Sequence, residues 1–331
     1  MHATSEEPAV PGALPTPDYG TLGPGSDIVP EAAGPISRPA PGESFAPALA
    51  VLIGVLLAGL LVGVAHSRRS GFANPFASHD DDDVQVSAQD LSRLDQMKPQ
   101  KQAEVLLDLA VRKSDGAVDQ ISSRVDHWHG KLRWNSQISM LTTAALGSSD
   151  VRVRESGVEI ELAAYGLSKN SANIDYLLRT AESPDHAQKI WALWALGLMG
   201  NRGVESERVL PALAAHLKDS DEDSRRWSVE GLTLTGTNEA IPLLLQAMHD
   251  DSSLHVRERA ACAVAESRMF ATEQRLSAVP QLLRYTDDPS LDAQTHALAF
   301  RALSDITHQH LPNDPAAWRS WYENQGPGTS D

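Results

Sequence analysis

The chain has a single cysteine, Cys262, in 331 residues. It can form no internal disulfide, and one unpaired thiol suits a reducing compartment. Basic charge is also short: 28 Lys+Arg stand against 44 Asp+Glu. Three basic and six acidic residues precede position 71, so the remainder holds 25 basic and 38 acidic residues and is itself strongly negative. That balance excludes phosphate-backbone binding, which needs clustered Lys and Arg. Glycine-rich phosphate loops, HExxH and GxSxG are all missing, which removes the motifs of phosphoryl transfer, zinc hydrolysis and serine hydrolysis. The first 44 residues carry one basic residue, Arg38, so no basic n-region marks a cleaved signal peptide.

Among the features present, the first is Phe45–Ala65, FAPALAVLIGVLLAGLLVGVA, a 21-residue run without a charge. A helix needs ~20 apolar residues to cross a bilayer, and it keeps every interior backbone group paired. Pro47 falls in its first turn, where a missing N–H costs nothing. The run predicts one transmembrane helix. Arg68 and Arg69 come directly after it, and cytoplasmic flanks are enriched in such residues. The expected orientation is N-terminus outside and the remainder cytoplasmic. Ala46, Ala50, Gly54 and Ala58 recur every fourth residue, a small-residue stripe that lets two such helices approach and pair as a homodimer.

Residues 1–44 contain nine prolines between Pro8 and Pro41 and few large apolar side chains. Such a segment cannot bury enough surface to offset its ordering entropy, so a disordered tail is expected. Residues 66–88 read as an acidic juxtamembrane linker. Its Asp80–Asp83 run lacks the spaced ligands and glycine turn of a calcium loop, so it reads as a solvated spacer.

From Gln89 onward apolar residues recur at three- and four-residue steps, as in Leu91, Leu94, Met97 and then Ala103, Leu106, Leu107, Ala110, with Pro99 between the runs. Residues 89–134 are expected to form helices that cap a larger helical array beginning near residue 135. His127 and His129 flank Trp128, but residues two apart on a helix face different sides, so Trp128 reads as a packing anchor and not the centre of a metal site. His308 and His310 repeat the spacing without a partner ligand. Cys262 lies in a run of small residues and reads as a buried structural thiol. No catalytic, cofactor-binding or metal-ligating residue is assigned.

Three segments align without gaps, beginning at Val209, Ala240 and Ala278. Each sets a proline eight positions before an Asp: Pro211/Asp219, Pro242/Asp250 and Pro280/Asp288. A degenerate copy begins at Ile174. Each is preceded by another helical segment, starting near Val153, Ala187, Ser224 and Val256, with a fifth at Ala293, spaced about 32 to 37 residues apart. Helix pairs at that period predict an all-α solenoid whose units must stack to bury their apolar faces.

On these residues the chain resembles the HEAT-repeat family, in particular the short bacterial type shared with phycobilisome-lyase-like repeats. The resemblance rests on the Val153-Arg154 and Val256-Arg257 openings, the proline openings, and the six-residue spacings Asp219/Arg225 and Asp251/Arg257. It covers roughly residues 135–325, with a disordered end expected at 326–331. It implies that Asp219, Arg225, Asp251 and Arg257 belong to a ladder between successive repeats. Lys189 and Gln294 stand where the family has Arg, Asp175 stands where it has Pro, and Val204–Arg208 reads as an insertion. Trp318, Trp321 and Tyr322 fall on one helix face and are expected to cover the end of the array. The implied role is a membrane-anchored, non-catalytic scaffold with no cofactor, binding a protein partner with a basic face and no nucleic acid. The alternative within the resemblance is a lyase-type protein holding a tetrapyrrole or another small ligand. A DNA-lesion reader with a basic groove conflicts with the acidic charge.

Overall fold

The computed structural model describes residues 86–324, and all regular structure among them is helical. The expected tail, the span at 45–65 with Ala46, Ala50, Gly54 and Ala58, nearly all of the linker, and residues 326–331 lie outside the described residues. No described helix is long and apolar enough to cross a membrane.

The helices are α1 (Ala88–Asp95), α2 (Pro99–Val111), α3 (Ala117–Trp128), α4 (Ser136–Leu146), α5 (Val151–Ala164), α6 (Ser171–Ala181), α7 (His186–Asn201) and α8 (Ser206–His216). They continue as α9 (Glu222–Thr235), α10 (Ala240–Asp250), α11 (Leu254–Glu266), α12 (Thr272–Leu276), α13 (Val279–Tyr285), α14 (Ala293–Thr307) and α15 (Pro315–Asn324). Two layers result. In the stacked layer α3, α5, α7, α9, α11 and α14 pack each on the next. In the flanking layer α2, α4, α6, α8, α10 and α13 each lie against members of the stacked layer, and α15 closes on α13. The helices of residues 89–134 pack directly on the first members of the array, α2 on α4 and α3 on α5. Apolar residues of α4 and α5 face both ways: Ile138, Val153 and Ile160 join the N-terminal core, while Leu146, Val158 and Leu162 join the larger one.

Local chemistry starts these helices where the sequence supplies a short polar acceptor. The side chains of Asp150, Asp185, Asp221 and Asp292 accept backbone N–H groups at the starts of α5, α7, α9 and α14. Each satisfies a donor the helix leaves free and sets a negative charge at its positive end. Helix α7 carries the longest unbroken buried stretch among the described helices. Trp191 through Gly200 are all buried, because α7 touches α5, α6, α8 and α9. Two glycines make the tightest crossing: a Cβ on Gly197 would stand 2.4 Å from the Gly231 carbonyl oxygen, and one on Gly231 would stand 2.5 Å from that of Leu193. Here the backbones of α7 and α9 meet directly.

Several expectations are corrected. Within Val204–Arg208, Ser206–Arg208 form the first turn of α8 and Glu205 precedes it in a left-handed conformation. Pro211 consequently lies inside α8, whereas Pro242 and Pro280 sit in the first turns of α10 and α13. Tyr322 does not cover the array end: it is exposed, while Trp318 is buried with its indole N–H on the Pro312 carbonyl and Trp321 packs edge-on against it. Cys262 is only partly buried. It sits beside Glu266, Arg301 and Arg259, and burial pushes its thiol pKa up, which keeps it protonated.

Candidate functional site

The ladder occupies the turns that lead into the stacked helices. Lys189 Nζ donates to Asp219 Oδ2 at 2.9 Å. Arg225 Nη1 donates to the backbone carbonyl of Asp219 at 3.1 Å, while Nε and Nη2 form a fork on Asp251 at 2.8 and 3.1 Å. Arg257 repeats the arrangement, with Nη1 on the Asp251 carbonyl and Nη2 on Asp292 Oδ2, both at 2.9 Å. Residues six apart thus meet through a backbone carbonyl. The side-chain ion pair reaches one unit further on. Forked guanidinium–carboxylate pairs are strong and fix orientation. The Arg225 and Asp251 side chains are 12% and 4% exposed, so this pair is shielded from solvent.

Each acid also organises its own turn. Asp219 Oδ1 accepts the Asp221 N–H and Asp251 Oδ1 accepts the Ser253 N–H. The Asp221 N–H first, and then Lys189 and His216, outweigh partial burial and hold the Asp219 pKa down to about 2. Two residues read as departures are functional members of the stack. Lys189 supplies a rung in place of Arg, and Asp175, in place of Pro, receives Arg208 Nη2 of the next flanking helix at 2.6 Å. Gln294 supplies no rung, and the last acid is Asp292, not Asp288, because the turn before α14 is longer. Arg154 caps the carbonyls of Ser148 and Ser149 from the same helical position as Arg225.

A second set of pairs links the stacked helices further along the chain. The forked Arg259–Glu230 pair ties α11 to α9, and Arg301 donates to Glu266 at 3.0 Å, tying α14 to α11. Arg202 and Lys169 converge on Glu159 Oε1 at 2.8 and 2.7 Å. None of these pairs is legible in the sequence, because the partners carry no local motif and, Lys169–Glu159 aside, lie about a repeat or more apart.

The histidine motifs do not assemble a site. Trp128 is buried and its indole N–H donates to Gln102, while His129 is only partly buried, which lowers its pKa. Among the described residues no three His, Cys, Asp or Glu side chains gather as a metal site. Trp191 and Trp194 are buried with Tyr165 between them and Trp134 stacked on it at 5.0 Å.

An open groove of about 510 Å³ runs between α10 and α13. Ile241 and Leu245 form its floor, with the Tyr285 hydroxyl donating to the Leu245 carbonyl across the base at 3.2 Å. At one end His249 bridges two carboxylates, Nδ1 to Asp250 at 2.5 Å and Nε2 to Asp288 at 3.3 Å. Partial burial opposes its charging, but the hydrogen bonds to Asp250 and Asp288 outweigh it and raise its pKa. Ser290 and then His249 hold Asp288 down to about 2.

The family model described as HEAT repeats matches residues 138–233 and 210–304. These spans begin within α4 and α8 and end within α9 and α14, so together they cover both layers of the stack. Among solved structures, an engineered protein is similar at 17% identity and a TM-score of 0.30, over 66% of this chain and 95% of that one. No curated protein matches.

Proposed function

Because the chain belongs to the HEAT-repeat family, we propose that it is a non-catalytic scaffold that holds a protein partner at a membrane. The carrying observation is the unbroken stack from α2 to α15, whose rungs keep side chains of successive units in fixed relative positions. A stack of this kind offers an extended surface for recognition. The anchor in this reading is the 45–65 run, and Arg68 and Arg69 favour a cytoplasmic side for the repeats. Ala46, Ala50, Gly54 and Ala58 would pair two copies and raise avidity through effective concentration. The excess of 16 negative charges favours a partner with a basic face.

Two measurements test this reading. Protease added to spheroplasts should spare the repeats, and their digestion from outside would overturn the orientation. Partner recovery from detergent-solubilised membranes should fall as salt rises, since screening weakens exposed charge pairs. Recovery indifferent to salt would remove the charge argument.

A further inference from the structure

We propose that the groove between α10 and α13 binds an extended peptide segment of a partner, with a lysine or arginine seated at Asp250 and Asp288 and an apolar side chain over Ile241 and Pro242. This deepens the scaffold reading and rests on it.

The dimensions set the length of the segment. From Ile241 to Asp250 the groove tracks nine residues of α10, or ~14 Å at the helical rise of ~1.5 Å per residue. An extended chain covers ~3.3 Å per residue, and side chains four positions apart point the same way. A segment with its apolar and basic residues four apart therefore spans the groove from end to end.

The chemistry sets the polarity. Gln246 on the α10 wall donates one N–H to Asp250 Oδ2 at 3.3 Å, and Gln281 on the α13 wall accepts from Arg284, so each amide keeps further donor or acceptor capacity. Side-chain amides carry both a donor and an acceptor, which matches the N–H and C=O groups that an extended backbone leaves free. At the acidic end one imidazole serves two carboxylates, so the end stays net negative even with His249 charged. The Asp250 side chain is 57% exposed, so an incoming cation can join the His249 and Gln246 contacts that its two oxygens already hold. Asp287, next to Asp288 in the chain, is already engaged by Arg319. The groove thus prefers a basic segment over an acidic one, and charge complementarity of this kind selects between partners.

The test uses the full-length chain in detergent and short fluorescent peptides. One carries leucine four positions from lysine; its counterpart carries glutamate in place of the lysine. The lysine peptide should bind at least ~10-fold more tightly, a difference of ~1.4 kcal/mol. Gln246→Arg, an exposed change that leaves the core intact, should abolish its binding, and Asp250→Asn with Asp288→Asn should remove the preference for lysine. Glu323→Gln, on exposed α15, should change neither. Equal binding of both peptides, no binding of either, or full binding by Gln246→Arg would each overturn the groove proposal. If the chain then still recovers a protein partner from membranes, the scaffold reading stands without the groove.

Discussion

Every guanidinium nitrogen of Arg225 bonds to one of two turns, and this makes it the best single test of how the repeats are held in register. Removing Asp251 leaves that guanidinium shielded and half-paired. Loss of one partner of a buried pair costs about 3–5 kcal/mol. Asp251→Ala should therefore lower stability by about 3 kcal/mol. A double-mutant cycle with Arg225→Ala should return a coupling of about 1–3 kcal/mol. A coupling near zero would take the pair out of the account. Acid supplies a second test. Asp219 titrates at about 2 in the folded chain, below the ordinary carboxylate value of 3.8. A depressed folded pKa stabilises above the unfolded pKa, and that stability fades as pH falls towards the folded one. The urea midpoint should thus drop between pH 4 and pH 2 (~2 units, the span between those pKa values), and Asp219→Asn should flatten that drop. An identical slope in the variant would show that Asp219 contributes nothing. The four ladder positions were visible in the sequence as spacings. Their partners were not, because a six-residue interval does not reveal that Arg225 joins the carbonyl of its own unit and the carboxylate of the next.

At the scale of the element, α7 and α9 carry the closest contact in the stack. The composition of Trp191–Gly200 shows that this helix is enclosed, since an all-round apolar helix has nowhere else to go. The glycine crossing was hidden, because a glycine inside a helix reads only as a weak position until its neighbour is known. Gly197→Ala should destabilise by about 1–3 kcal/mol, the range for overpacking a filled core, even though alanine is the better helix former. Thermal denaturation will show it: an unchanged or higher melting temperature would mean the two backbones are not in contact. The boundaries of α8 were misread for a similar reason. A proline usually marks a first turn, but Arg208 pairs with Asp175 on α6, and the helix begins a turn and a half before Pro211.

For the whole molecule, the period of the helix pairs exposed the architecture, because each pair must bury its face on the next. The order of helices within a unit was not legible, since an alternating stack can be cut at either turn. The groove between α10 and α13 was hidden as well, because it depends on how far two helices stand apart. As a scaffold, the array would work by holding a protein. The most direct measurement is to extract the tagged full-length chain from membranes at low salt and identify everything that accompanies it, by mass spectrometry for proteins and by absorbance for pigments. The account predicts a protein partner bearing a basic segment, recovered in fixed proportion and lost at high salt. A bound tetrapyrrole or other small molecule, with no protein at either salt, would contradict it.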